Sequence, residues 1–258
     1  MFRHPMAKLL LLGQLTLMSW MVQAAAPVEV EDVMGRKVSL SLPASRIVLG
    51  FYPEDYLAVA GEGGADRLVG MSRGWFVKSR PAIWSLYVAS LPQLTQVPDL
   101  GNVQDQSFSI EKTLAVRPDV GRHGPARRPL RRTLGPHPPE QLLASKPEVI
   151  LMAGYESVSS EQAMQVGQDI SAQTVRQRLQ GFAARPGWRD LPAVQQGRLY
   201  AVYHGATRSI MDAALIEFMA KAFYPDLFED LDPLATYQGF YHAYLPIRPQ
   251  GTFMLGIK

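Results

Sequence analysis

Six aromatic and cationic side chains follow three short apolar runs that predict buried strands. They are Tyr52 after the first run, Arg73 and Trp75 after the second, and Tyr203, His204 and Arg208 after the third. In open α/β sheets, ligands bind beyond the carboxyl ends of the strands, so these six form the candidate ligand-binding set. Arginine binds oxygen anions through two hydrogen bonds, and Tyr and Trp offer flat apolar area. The set therefore suits a large, planar or anionic ligand such as a metal chelate.

Two further candidate residues lie in a segment that occurs twice. Residues 111–120 (EKTLAVRPDV) match residues 140–149 (EQLLASKPEV) at a Glu, a Leu, an Ala, a basic residue, a Pro, an acid and a Val. Glu111 and Glu140 each fall in the first turn of a predicted short helix. The helix dipole favours acids there, which is enough to explain each Glu alone. Their matching positions in a repeated unit indicate a shared role as well.

A catalytic alternative rests on residues 70–74 (GMSRG), which fit the G-x-S-x-G pattern of a nucleophile elbow and follow a predicted strand. Asp212 and His242 could complete the order Ser, Asp, His. An elbow requires a helix directly after Ser72, whereas the glycine, tryptophan and proline within 74–81 predict a loop. The five histidines show no HxH or HExxH spacing, so no dedicated zinc site is predicted.

The elements that must position these residues alternate between strand and helix, which predicts an α/β protein with parallel sheets. Residues 28–40 predict a β-hairpin around a central glycine. Further strands are predicted at 46–50, 67–71, 148–152 and 198–202. Helices are predicted at 53–60, 81–90, 109–116, 141–145 and 210–222. The tyrosines and phenylalanine within 237–244 are expected to pack in the C-terminal core.

The N-terminus has the pattern of a secretory signal peptide. Arg3, His4 and Lys8 precede an apolar run over 9–22, and small residues at positions 22 and 24 favour cleavage after residue 24. The run is shorter than the roughly 20 residues that span a bilayer. We therefore expect a soluble protein outside the cytoplasm.

Composition removes other classes of function. With no cysteine, disulfides, thiolate metal sites and a Cys nucleophile are excluded. The net charge is +3, but Arg3 and Lys8 contribute +2 and the five arginines within 121–139 contribute +5, which leaves −4 for the remainder. The sequence pI of about 9.1 therefore does not indicate a nucleic acid or another acidic partner.

Many short segments resemble the periplasmic substrate-binding proteins of ABC importers for iron–siderophore complexes, haem and cobalamin, which are of the helical-backbone metal-receptor type. The resemblance covers most of 28–120 and 139–230. The matching segments are 32–36 (DVMGR), 44–48 (ASRIV), 66–72 (DRLVGMS), 100–101 (LG), both copies of the repeat, 186–188 (PGW), 191–194 (LPAV), 197–200 (GRLY) and 224–228 (YPDLF).

This resemblance implies two α/β lobes joined by a long rigid helix, with the ligand in the cleft between them and no catalysis. It implies no resident cofactor, and a ferric siderophore, haem or cobalamin as the ligand. One glutamate on each lobe docks onto arginines of the membrane permease, and these glutamates correspond to Glu111 and Glu140. The partners are then an inner-membrane ABC permease and a small-molecule metal chelate, without nucleic acid, for a periplasmic monomer.

The sequence departs from the family between the two glutamates, which lie only 29 residues apart. About 100 residues, roughly one domain, have no counterpart. The predicted domains are the signal peptide 1–24, a partial N-terminal lobe 27–120, a disordered Arg/Pro-rich junction 121–138 and a partial C-terminal lobe 139–258, without the bridging helix. Two alternatives stay open: a secreted α/β-hydrolase-type serine esterase using Ser72, and a non-functional deleted remnant of the binding protein.

The junction has the composition of GC-rich DNA translated in the wrong frame, so we predict a gene deletion or frameshift there. Translation of the flanking DNA in all three frames should extend Asp119-Val120 into an apolar strand. If no frame does so, the frameshift hypothesis fails.

Overall fold

The computed structural model describes residues 27–31, 35–50, 53–61, 63–103, 105–122, 139–157, 160, 162–207 and 209–258. The predicted signal peptide, Tyr52, Arg208 and all but the first two residues of the predicted junction lie outside these ranges. The chain divides into two compact units, Met1–Ser45 and Arg46–Lys258.

The described part of the first unit forms an antiparallel hairpin. Strand β1 (Val28–Glu31) pairs with β2 (Lys37–Leu40), and this register places Glu31 opposite Lys37. Opposite charges in directly facing positions stabilise such a pair. Gly35 has a φ of 75° in the connection, a conformation that glycine adopts without strain. The predicted hairpin is confirmed.

The second unit begins with a three-stranded parallel sheet in which β3 is central. Its strands are β3 (Ile47–Leu49), β4 (Leu68–Met71) and β5 (Val120–Arg122). Helix α1 (Pro53–Ala60) connects β3 to β4, which confirms the predicted βαβ unit. Between β4 and β5 lie α2 (Arg73–Ser79), α3 (Pro81–Ser90) and α4 (Ile110–Ala115).

Helix α2 contradicts the prediction of a loop after Ser72. The Phe76 amide donates to the Ser72 carbonyl and starts the helix, and burial of Phe76 holds it against the core. Gly74 fits because a Cβ atom there would lie 2.5 Å from an Asp99 carboxylate oxygen. Its low helix propensity led to the prediction of a loop, but tertiary packing overrides propensity at this position.

Strand β5 lies where the sequence predicts no strand, since residues 121 and 122 belong to the predicted disordered junction. Its residues pair in parallel with β3, Gly121 beside Val48 and Arg122 beside Leu49. A strand is not predicted here because no apolar residue directly follows Val120. Ladder hydrogen bonds use the backbone alone, so glycine and arginine can continue a strand where a neighbour is available.

The second sheet is mixed. Strands β6 (Ile150–Gly154) and β8 (Leu199–Tyr203) run parallel, as predicted, and β10 (Met254–Gly256) adds antiparallel to β8. A small separate ladder pairs β7 (Gly167–Gln168) with β9 (Gly251–Thr252). The helices are α5 (Pro139–Ser145), α6 (Ala172–Ala183), α7 (Pro192–Gln195), α8 (Asp212–Phe223) and α9 (Pro233–Tyr244).

The repeated sequence is a repeated structure. Helix α4 leads to Arg117 and then β5, and α5 leads to Lys146 and then β6. Both basic residues adopt the left-handed conformation, with φ of 43° and 44°. A left-handed residue just past a helix end is the usual way to terminate it. The two copies therefore use the same helix, the same terminating conformation and the same turn into a parallel strand.

Both sheets of the second unit share one apolar core. It joins Leu49, Phe76 and Tyr87 from the first half to Tyr203 and Tyr237 from the second. The α/β class is confirmed. Helices in the described ranges reach at most 12 residues, and none there is long and apolar enough to cross a bilayer. The lobe boundaries at 120 and 139 stay predictions, since 123–138 lie outside the described residues.

Two glycine-to-alanine substitutions should have opposite effects on stability. Gly101 has a φ of 72°, and a Cβ atom there would lie 2.0 Å from the Ser107 carbonyl oxygen, so G101A should lower the unfolding free energy by about 1–3 kcal/mol. Gly181 lies inside α6, where an added Cβ atom would meet nothing within 4 Å, so G181A should raise it by about 0.5–1 kcal/mol. Urea unfolding followed by circular dichroism measures both, and a neutral G101A would contradict the packing at this turn.

Candidate functional site

The predicted ligand-binding residues that the structure describes lie at the carboxyl ends of β4 and β8. Arg73 is half-buried and donates to the Thr95 carbonyl. Trp75 is half-buried beside a recess of about 10 Å³ that Gly50, Ser72 and Phe76 also line. A space of that size holds about one water molecule. Among the described residues, the recess at this edge of the first sheet is therefore small.

At the end of β8 the two candidates differ in exposure. Tyr203 is 1% exposed, and its ring meets Phe253 edge-on with centroids 5.5 Å apart. His204 is half-buried, with its ring edge-on to Tyr155 at 4.9 Å, and the Thr207 hydroxyl donates to the His204 carbonyl. Tyr203 would therefore contact a ligand only after the surrounding elements had moved apart.

The structure brings Tyr203 together with Arg80, which sequence reasoning missed. Arg80 is the single residue between α2 and α3 and is 3% exposed. Its Nε donates to the Tyr203 hydroxyl at 2.6 Å, and its guanidinium lies over the Tyr203 ring at 5.4 Å. The guanidinium also lies 5.1 Å from the centre of the Phe76 ring. One side chain of the first half is thus held by a side chain of the second.

An ion pair completes this contact. Arg80 Nη1 pairs with Oε1 of Glu54, a residue in the first turn of α1 that is 1% exposed. Burial by itself would lower the pKa of Arg80, but the Glu54 carboxylate beside it raises that pKa well above its ordinary value. The guanidinium therefore stays charged. A buried charge is tolerated only when it is paired, so Glu54 and Arg80 depend on each other.

Tyrosines surround the ion pair. Burial raises the pKa of Tyr87, Tyr203, Tyr237 and Tyr241, so all four phenols are neutral at physiological pH. The Tyr237 hydroxyl donates to the Tyr241 hydroxyl at 3.3 Å. The sequence expectation that Tyr237 and Tyr241 pack in the C-terminal core is confirmed, while Tyr244 is 59% exposed.

Glu156 is a second carboxylate at this place. It follows β6 and is 6% exposed, and neither of its oxygens makes a well-aligned hydrogen bond. Burial raises its pKa to about 7, although the Arg80 charge and the amides of Ile83 and Gln168 oppose the rise. Near neutral pH this carboxyl group therefore changes its charge inside the protein. We call Glu54, Arg80, Glu156 and Tyr203 the polar cluster.

Sequence reasoning missed Arg80, Glu54 and Glu156 because their signals look ordinary. An acid in the first turn of a helix, such as Glu54, is explained by the helix dipole. Arg80 precedes Pro81 and resembles a residue of an exposed connection. Its hydrogen bond across the two halves is to Tyr203, which lies 123 positions away along the chain. Such pairing could be found only from the tertiary structure or from covariation among relatives.

One feature of the structure agrees with the catalytic alternative, whereas the contacts of Ser72 do not. Helix α2 follows Ser72 directly, as a nucleophile elbow requires. However, Ser72 has an ordinary φ of −76°, whereas the serine of a nucleophile elbow has a strained backbone. Its hydroxyl donates to the Gly101 carbonyl at 2.7 Å rather than to an imidazole. His242 is exposed on α9, and Asp212 begins α8. The described contacts of Ser72 are therefore those of a structural serine.

The two repeated glutamates are both exposed in the first turns of their helices. The Ser109 hydroxyl donates to Glu111 at 3.1 Å, and the Ser109 oxygen accepts from the Lys112 amide at 3.1 Å. The Glu111 amide and the Ser109 hydroxyl lower the pKa of Glu111, which keeps it ionised. Glu111 therefore presents a permanent negative charge to solvent.

Two larger cavities among the described residues contain none of the candidate residues. One of about 520 Å³ lies between the carboxyl-terminal ends of α1 and α9, and includes Leu57 and Tyr244. The other, of about 380 Å³, lies along α6 and includes Arg178 and Arg185. Within the described ranges, no three His, Asp or Glu side chains converge as metal ligands.

Comparison with known proteins identifies the fold. The chain matches no protein-family model and no curated protein. Its structure is similar to that of the TroA-like periplasmic binding protein FepB from Veillonella parvula, with a TM-score of 0.76 and 20% identity over 90% of this chain and 100% of that chain. The chain thus has the TroA-like periplasmic binding protein fold.

Two other solved structures are similar at a lower level. They are Helicobacter pylori CeuE with Ni(II) bound (TM-score 0.48, 14% identity, 86% of this chain and 97% of that chain) and the molybdate-binding protein MolA of a Haemophilus influenzae ABC transporter (0.49, 15%, 87% and 99%). At these TM-scores neither likeness supports an inference about this chain.

Removal of the Tyr203 hydroxyl should show what the contact with Arg80 contributes. Tyr203→Phe leaves a buried charged donor without its acceptor, so the unfolding free energy should fall by about 1–3 kcal/mol. Tyr200→Phe, on the same strand with a half-buried ring, is the matched control and should change it by less than about 0.5 kcal/mol. Equal effects in urea unfolding would show that the Arg80 contact adds nothing.

Proposed function

We propose that this chain is an exported substrate-binding protein that delivers a metal chelate to an ABC permease. The observation that carries the proposal is the similarity of fold to a TroA-like periplasmic binding protein over nearly the whole chain. The sequence resemblance to siderophore, haem and cobalamin receptors supports the same class independently. In this proposal residues 1–24 are a signal peptide and the mature protein is a periplasmic monomer.

A ferric siderophore is the proposed ligand, with haem and cobalamin as the other chelates of the class. Arg73 and Trp75 after β4 and His204 after β8 supply the cationic and aromatic groups that such ligands need, and Tyr52 and Arg208 belong to the same set by sequence position. The chain itself brings no metal, because the iron arrives within the chelate. Because Tyr203 is buried and the recess beside Trp75 is small, we propose that the ends of the two sheets separate when a ligand binds.

Delivery is proposed to use Glu111 and Glu140. Both are exposed at the starts of structurally equivalent helices, and Glu111 is held ionised by its own amide and by Ser109. Two charges presented by the same local structure suit two equivalent arginine sites on a permease dimer. Pairs of this kind set orientation and encounter rate more than affinity.

Titration of tryptophan fluorescence tests the binding proposal. Trp75, Trp84 and Trp188 remain after signal cleavage. Ferric siderophores should quench the wild type saturably, and Trp75→Phe should lose most of the response because Trp75 lies at the end of β4. Trp188→Phe is the control, since Trp188 packs near Phe182 and Arg185 away from the strand ends, and should keep it.

Absence of quenching by siderophores, haem and cobalamin alike would favour the alternative of a deleted remnant that no longer binds. The esterase alternative is supported by the strand–serine–helix arrangement at Ser72. It predicts hydrolysis of p-nitrophenyl esters by the purified protein, abolished in Ser72→Ala. Activity that survives this substitution would exclude Ser72 as the nucleophile.

A further inference from the structure

We propose that Arg80, Glu54 and Tyr203 form a latch that holds the two sheets of the second unit together at the carboxyl ends of their strands, and that ionisation of Glu156 releases it. The proposal rests on the proposed function in one respect only, which is that it takes this edge of the sheets as the ligand-binding site. The latch itself is a property of the unliganded chain.

The latch joins the two halves through few direct polar contacts. Glu54 lies in α1, which follows β3, and Arg80 lies at the joint between α2 and α3, which follow β4. Tyr203 is the last residue of β8. Arg80 therefore pairs with a carboxylate of its own half while it donates to a hydroxyl of the other half. A second contact lies nearby, where the Ile210 amide donates to the Asp55 carboxylate at 3.2 Å.

Several buried polar atoms in and beside the latch lack a well-aligned hydrogen bond. Among the described residues, Arg80 Nη2 and Glu54 Oε2 are buried without a well-aligned hydrogen bond, and the Glu156 oxygens have only the poorly aligned amides of Ile83 and Gln168 near them. Buried polar groups in native proteins are normally paired, and unpaired groups favour any rearrangement that admits water or a ligand. The closed arrangement thus contains both the contacts that hold it and the unpaired groups that favour opening.

The charge of Glu156 decides the balance. With Glu156 protonated, Glu54 and Arg80 cancel and the polar cluster is neutral. With Glu156 ionised, the cluster carries a net negative charge; Arg80 attracts Glu156, Asp169 repels it, and the buried Tyr203 stays neutral. Enclosed excess charge is unfavourable, and separation of the sheet ends relieves it by hydration.

The direction of the pH dependence follows from the raised pKa of Glu156. Its pKa in the folded state is about 7, against an ordinary value of 4.5. We call the arrangement with the two sheet ends together the closed state and the arrangement with them apart the open state. Between pH 4.5 and about 7 the closed state therefore keeps a proton on Glu156 that the open state releases. Closure is therefore fully favoured below about pH 4.5 and weakens progressively as the pH rises through about 7. Above that pH the group is ionised in both states, so the balance changes no further.

Distance measurements between two spin labels test the latch without any ligand. The chain has no native cysteine, so Val59→Cys on α1 and Ile216→Cys on α8, both highly exposed, can be labelled alone. We expect a narrower, shorter distance distribution at pH 5.5 and a longer or broader one at pH 8.5, with a midpoint between pH 4.5 and about 7. In Glu156→Gln, which mimics the protonated form, the distribution should stay narrow at both pH values.

Tyr203→Phe provides the second variant, because it weakens the latch without leaving Glu54 unpaired. It should shift the midpoint toward lower pH, while circular dichroism stays that of the wild type. A wild-type distribution that is the same at pH 5.5 and 8.5, or a Glu156→Gln variant that opens as the wild type does, would overturn the proposal. A protein that shows the pH response but binds no chelate would overturn the proposed function and leave the latch intact.

Discussion

The buried ion pair between Glu54 and Arg80 is the contact on which the interior of the second unit depends. A guanidinium that is 3% exposed requires its carboxylate, and Glu54 requires Arg80 in turn. The pair fixes the start of α1 against the joint between α2 and α3. Through the Tyr203 hydroxyl it also fixes the end of β8. The aromatic rings around it exclude water and so make the pairing obligatory.

This arrangement constrains how the molecule could bind anything. In a parallel α/β fold, the carboxyl ends of the strands are where ligands are recognised. Among the described residues, Arg80, Glu54 and Tyr203 lie buried at this edge, and the recess beside Trp75 is about the size of one water molecule. In the function proposed above, ligand binding would therefore require these buried side chains to move.

The repeat beside the sheets presents its charge to solvent. Helices α4 and α5 are each followed by a basic residue in the left-handed conformation, Arg117 and Lys146, and lead into parallel strands in the same way. The glutamate of α4 remains exposed because that helix packs through its other face, where Thr113 is buried. The molecule thus separates an enclosed polar cluster from charges that are exposed on its surface.

Local sequence patterns were sufficient to predict the α/β class, the hairpin, the parallel pairing of the strands that begin at Ile47 and Leu68, and the repeated helix-to-strand unit. These follow from local apolar periodicity, glycine and proline, which act over a few residues. Helix α2 was not predicted, because the low helix propensity of Gly74 favours a loop. In the structure, burial of Phe76 outweighs that propensity. That Arg80, Glu54 and Glu156 lie close to Tyr203 could be learned from the folded chain alone. These residues are up to 149 positions apart, and their proximity depends on which buried charges find partners.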